Sequence, residues 1–306
     1  MRIASMNFFQ GSLSGILNNQ SSMAYLNQQI AADQSILQPK DDPLATEKIL
    51  DLSTRIAART QYSANQTKAQ IGLEYESTVL TELSTTLTNT RSALAGMGSD
   101  FDPAVLNAGA EEVLSQARHI LDLINTQDPY GNYIFGGFDT VNQPYANPLD
   151  GTATATTYGG TPNPGGTRSI QVDVGRSIQV NDNLDGVVQS GVAGNDLLQQ
   201  LDAAVAALQA GTVSQTQLDG WVAVIDTALD NLDRISQRVA SAYSEVSAVA
   251  DTTKSLLTQE QNALSDILKL DQTSAIVALQ SRQTALEAAE QAFGMTSGLS
   301  LFNYLG

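Results

Sequence analysis

The two ends of the chain constrain its fold most. Residues 3–37 and 254–297 contain no proline and carry apolar residues at weak helical spacing. They flank a Gly/Thr/Pro-rich stretch with strand-like patterning. Two amphipathic ends around a different middle predict a chain that folds back on itself and brings both termini to one pole. A seam made of both ends is a surface to offer to other subunits, which points toward assembly before catalysis.

In the first segment Leu13, Ile16, Leu17, Met23, Leu26 and Ile30 recur at helical spacing, with Gln20 and Asn27 on the same seam. An ordinary core-facing helix has this pattern too. Polar seam residues lower stability but fix register in helix bundles, and Gly11 and Gly15 weaken the start of the helix. The break at Gln38–Pro43 ends with Asp41, Asp42 and Pro43. Asp before Pro is an N-cap and first-turn pair, because the carboxylate accepts free backbone N–H groups and proline needs no donor there. A helix of about fifty residues is predicted from Pro43 to Gly96, with Leu44, Ile49, Leu52, Ile56, Ile71, Val79, Leu80, Leu83, Leu87 and Leu94 as its apolar positions. That length implies a rod or a bundle. Asp102–Pro103 repeats the capping pair and opens a helix to about Asn125.

Asp128–Gly131 reads as a turn with Pro second and Gly fourth. Tyr133, Ile134, Phe135, Gly136, Gly137 and Phe138 read as a short aromatic strand. Ser169–Val174 and Ser177–Val180 alternate with period two, as half-buried strands do. Between them Gly175–Arg176 is either a tight turn or a bend in one longer strand. Helices follow over Leu197–Ala210 and from about Gln215, where Trp221, Val224, Ile225, Leu229, Leu232, Ile235, Val239, Tyr243 and Val246 share a broad face. Leu257, Leu264, Leu268, Ala275, Leu279, Leu286, Ala289 and Phe293 then form one stripe near the helical period. The tail, which holds Leu299, Leu301, Phe302, Tyr304 and Leu305, is apolar where free ends are usually polar. It docks either on its own body or in another subunit.

The expected fold class is mainly α: an elongated antiparallel helical bundle or coiled coil built from both termini, with a small inserted β domain. Residues 1–37 and 272–306 form the terminal assembly region, 38–131 and 192–271 a helical rod, and 132–191 the β-rich insert. The assembly interface is assigned to Leu13, Ile16, Met23, Ile30, Leu264, Leu268, Leu279, Leu286, Phe293, Leu299, Leu301, Phe302, Tyr304 and Leu305.

Composition narrows the function classes. Charged residues are 15% and aromatic residues 6%, so the polar faces are mostly uncharged and can be buried without desolvating many ions. A net charge of −17 leaves no basic face for nucleic acid or an anionic membrane surface. No run of about 18 apolar residues spans a membrane, and the N-terminus lacks the apolar core of a secretory signal peptide. With no Cys and His119 as the sole histidine, Ser/His and Cys/His nucleophilic sites and thiolate metal sites have no parts. The paired acids Asp41–Asp42 and Glu111–Glu112 read as groups offsetting helix dipoles. No enzyme activity and no cofactor are expected.

Four segments together carry a resemblance: Met1–Ile3, Ile36–Pro43, Gly131–Phe138 and Ser297–Leu305. In their order and content the chain resembles the third hook-associated protein family of the flagellar hook–filament junction, relatives of flagellin. It departs at Ala31–Ser35, where the family often has a small-Gly-basic element, and at Gly96–Asp102. The resemblance implies a secreted structural subunit, exported through the flagellar type III apparatus with a chaperone on its C-terminal region. It implies a ring of its own copies, with the first hook-associated protein on the hook side and flagellin on the filament side. Other readings of the sequence are a short flagellin-type filament subunit, or a secreted adhesin-like binding module whose insert offers exposed Tyr145 and Tyr158.

Overall fold

The structure is a computed structural model. It describes the backbone of residues 2–98, 102–159, 166–184, 186–191 and 194–305, and within these the side chains of residues 10–295. Six helices are described: α1 (Arg2–Ala32), α2 (Pro43–Gly96), α3 (Pro103–Ile124), α4 (Leu197–Ala210), α5 (Gln215–Leu268) and α6 (Gln272–Leu305). Four short strands, β1 (Tyr145–Ala146), β2 (Thr157–Tyr158), β3 (Ser169–Asp173) and β4 (Arg176–Gln179), lie between α3 and α4. The chain divides into two compact units. Unit 1 is 1–58 with 256–306, and unit 2 is 59–255.

Unit 2 is built on a heptad seam. Gln66, Ala69, Leu73, Glu76, Leu80, Leu83, Leu87, Thr90 and Leu94 of α2 are all buried, at alternating steps of three and four. Leu218, Trp221, Ile225, Ala228, Leu232, Ile235 and Val239 of α5 are buried on the same period, which resumes at Val246, Val249 and Thr253. This is the spacing of packed helix pairs. Gln66 Nε2 donates to Thr253 Oγ1 at 2.9 Å, Gln70 Nε2 to Ser247 Oγ at 3.2 Å, and Arg91 Nε to Asp226 Oδ1 at 2.5 Å, so the two helices run antiparallel. Leu106, Ala110, Val113, Ala117, Ile120 and Ile124 of α3 continue the core, and α3 packs beside α4. Ile71, expected on the apolar face of α2, is 60% exposed. It falls between the seam positions Ala69 and Leu73.

The local signals explain the boundaries. Asp102 caps α3 by accepting from Ala104 N at 2.8 Å, and Asp42 caps α2 by accepting from Ala45 N at 2.9 Å. Glu111 and Glu112 stand well inside α3, not at its N-terminus, and are exposed. The β3–β4 pair is a hairpin with a two-residue loop, Val174–Gly175, because Gly175 adopts φ +69°. The other hairpin pairs Tyr145 with Tyr158.

The segment Tyr133–Phe138 is not a strand. Tyr133 makes one isolated bridge to Gln127, and the rest turns back on itself, Asp139 N donating to Gly136 O at 3.2 Å. Gly137 adopts φ +67°, and a Cβ on Gly136 would lie 2.1 Å from Asp139 O. The two glycines serve a tight fold-back that buries Phe135 completely and leaves Phe138 57% exposed.

Candidate assembly interface

In unit 1, α1 and α6 pack against each other. The chain leaves α1 through a helix-stop motif. Asp33 takes φ +54°, Gln34 N donates to Gln29 O at 3.1 Å and Asp33 N to Ile30 O at 3.3 Å, the two bonds of a Schellman turn. This left-handed position commonly holds glycine; here Asp, which tolerates it, fills it. Ser35 then clamps the end of α5: its N–H donates to Leu268 O at 2.8 Å and its hydroxyl to the same carbonyl at 3.1 Å. Gln34 bridges Lys269, and Gln272 Nε2 donates to Asp33 Oδ1 at 2.9 Å. The end of α1 thus meets the start of α6, and the two helices run antiparallel.

Asp41 does not cap α2. Its Oδ2 accepts from Leu37 N at 3.1 Å, from Gln38 N at 2.8 Å and from the Tyr25 hydroxyl. These bonds, led by Tyr25, lower the carboxyl pKa. Asp41 therefore ties the connector after α1 back to the face of α1. The single stripe expected over 257–293 is broken at 269–271, and Leu264 and Leu268 belong to α5. Asp271 starts α6, accepting from Ser274 N at 3.1 Å and Ser274 Oγ at 2.8 Å.

The burial of unit 1 is thin. Among the described residues its one buried apolar side chain is Ala275, and Glu260 is the other buried residue. Ile16, Met23, Ile30, Leu264, Leu268, Leu279, Leu286 and Phe293 are half-buried. Leu13, Leu17, Ile276, Val277 and Met295 are exposed. Leu299, Leu301, Phe302, Tyr304 and Leu305 lie on the backbone of α6, and their side chains fall outside the described residues. Unit 1 carries six basic and ten acidic residues, whereas unit 2 carries nine and twenty-two. Most of the negative charge therefore lies away from α1 and α6.

The motif residues divide between the units. Asp41, Asp42 and Pro43 are exposed at the α1–α2 connection, while in unit 2 Phe135, Gly136 and Gly137 are buried, Tyr133 is half-buried and Phe138 is exposed. Tyr145, expected exposed on the insert, is 2% exposed, and its hydroxyl donates to Asn183 O. Its ring lies 4.9 Å from that of Tyr158, which is half-buried and donates to Phe135 O at 3.3 Å. The two tyrosines hold the insert together instead of presenting a binding face. His119 pairs with Glu82 at 3.2 Å on the surface. Among the described residues no group of three His, Cys, Asp or Glu side chains is placed to hold a metal, and no helix is long and apolar enough to cross a membrane.

No family model matches the chain. The flagellar hook-associated protein 3 of Escherichia coli (strain K12) is 26% identical over 327 residues, covering 99% of each protein. A solved flagellar hook-associated protein from Vibrio parahaemolyticus has a TM-score of 0.67 at 20% identity, over 75% of this chain and 100% of that one. The flagellar junction protein FlgL from Legionella pneumophila has a TM-score of 0.57 at 14% identity, over 72% of this chain and 99% of that one. The structural likenesses carry the fold and the full-length match carries the homology. Over its full length the chain is similar to proteins named flagellar hook-associated protein 3, and these are its homologues.

Proposed function

We propose that this chain is a structural subunit of the bacterial flagellum that joins hook to filament, and that it assembles by burying the outer faces of α1 and α6 against neighbouring subunits. The observation that carries the reading is the thin burial of unit 1. A helix pair whose one buried apolar side chain among the described residues is Ala275 is stabilised mainly by what later covers it. Each Leu or Phe moved from exposure to full burial contributes roughly 1.5–3 kcal/mol, so covering several half-buried residues turns a marginal pair into a firm one. Ordering is deferred to insertion, when its entropic cost is met by the new contacts.

The partners are a ring of like subunits, the first hook-associated protein on the hook side and flagellin on the filament side. Before that, a cytoplasmic chaperone covers the C-terminal region, and export runs through the flagellar type III apparatus. A helix pair with so little core is easily held open by a chaperone. The adhesin-like reading loses its contacts, because Tyr145 and Tyr158 are occupied inside the insert.

Deleting residues 299–306 tests the proposal. Unit 2 keeps its thermal unfolding, and cells carrying the truncation make hooks without attached filaments. Normal flagella from the truncated protein contradict it. If the purified full chain polymerises alone into long filaments, it is a short flagellin instead.

A further inference from the structure

The heptad seam of α2 places one carboxyl group where an apolar side chain belongs. Glu76 is 0% exposed, between Leu73 and Leu80. Both of its carboxyl oxygens are buried without a hydrogen-bond partner. Glu76 lines a small, partly open cavity of about 20 Å³ together with Leu73, Gln179, Asn181, Asp182, Arg238 and Val239 among others, with room for about one water. Three charged groups act on Glu76. Asp182 comes from the segment after β4, Arg238 from α5 and Arg168 from the segment before β3. Arg238 is already committed to Asp182, donating from Nε at 3.1 Å. Arg168 Nε is itself buried without a partner.

An ionised carboxylate at this position faces a like charge in Asp182 and two guanidinium groups that do not bond it. Burying such a charge is costly, and the usual outcome is neutralisation. Burial pushes the Glu76 carboxyl up to about 8, and the Asp182 charge adds to the push. The Asp182 backbone N–H, short of hydrogen-bond geometry, and Arg238 and Arg168 pull the other way.

We propose that Glu76 is a buried proton-binding site: as the neutral acid it seats residues 179–184 on α2 and α5, and loss of its proton releases that segment. The segment is a junction of the fold. Asn181 Oδ1 accepts from Arg168 N at 2.5 Å, Asn181 Nδ2 donates to Gly137 O at 3.4 Å, and Asn183 O accepts from the Tyr145 hydroxyl. Its release loosens both the β3–β4 hairpin and the fold-back around Phe135.

The sign follows from linkage. A folded pKa raised above the ordinary 4.5 means that the native chain holds a proton the unfolded chain has released. The stabilisation is complete below about 4.5, declines as pH rises, and is gone above about 8. Thermal and urea unfolding of the full chain and of Glu76→Gln, at fixed ionic strength from about pH 5 to 9, tests this. The unfolding constant of the unsubstituted chain rises about tenfold per pH unit relative to the variant, then levels off. Parallel pH profiles overturn the proposal. Should Glu76→Gln fail to fold, a carbon-13 titration of the glutamate carboxyls in the unsubstituted chain decides. One carboxyl titrating near 8 supports the site; all of them titrating in the ordinary range overturns it.

Discussion

Units 1 and 2 draw on the same helical material and differ in what it touches. Both take part of α2 and part of α5. In unit 2 these helices, with α3, α4 and the segment between them, hold every described buried apolar residue except Ala275. In unit 1, among the described residues, α1 and α6 offer a strip of half-buried side chains and the buried Ala275. Helical periodicity is therefore not the same as a core: a stripe can be made to be covered by its own chain or by another. Net charge differs in the same sense, since nine basic and twenty-two acidic residues leave unit 2 at −13 while six and ten leave unit 1 at −4. A surface kept acidic stays solvated, whereas one to be buried against neighbours is better left nearly balanced.

Truncations in the two units break the comparison most sharply. Phe135→Ala empties a site that is 0% exposed and costs about 3–5 kcal/mol of unit 2 stability, read by urea unfolding. Leu279→Ala, in the half-buried strip of unit 1, costs the free monomer less than about 1 kcal/mol yet lowers the yield of filament-bearing hooks. Equal losses in the two variants would erase the distinction between the units. Smaller is Asp202→Asn. Asp202 is 0% exposed and its two oxygens accept from Gly151 N, at 2.7 Å, and from Ala153 N. The amide supplies one acceptor oxygen where two are needed, so about 1–3 kcal/mol is lost. Asp42→Ala removes the cap of α2 and costs about 1 kcal/mol by thermal unfolding. The smallest effect is Asp33→Gly, which relieves the left-handed position after α1 but drops the bond from Gln272. It changes stability by no more than about 1 kcal/mol, in the stabilising direction.

Much of the fold was legible in the residues, and the exceptions have physical causes. Asp-Pro pairs and Gly211 mark helix ends by local chemistry, so the limits of α2, α3 and α4 read directly. The break between α5 and α6 was not legible, because Lys269–Leu270–Asp271 contains no Gly or Pro. Its one local signal was Asp271 three residues before Ser274. The seam of α2 was half legible: Leu80, Leu83, Leu87 and Leu94 announce it, while Gln66, Glu76 and Thr90 conceal it by being polar and buried. Aromatic side chains beside glycines looked like strand at Tyr133–Phe138, yet tertiary packing of Phe135 and the fold-back at Gly136 decided otherwise. Tyr145 looked like a contact for a ligand because sequence alone does not reveal that Asn183 receives its hydroxyl. In the assembly strip the apolar periodicity was legible, and its partner was not, since nothing in a single chain's periodicity says which chain will cover it.

Amide hydrogen exchange on the free monomer tests the division between the units most directly. Residues 10–32 of α1 and 272–295 of α6 should exchange far faster than the α2–α5 seam around Leu83 and Ile225, and should become protected once the subunit is assembled. Protection of α1 and α6 in the free monomer equal to that of the seam would contradict the view that this helix pair is completed by its neighbours.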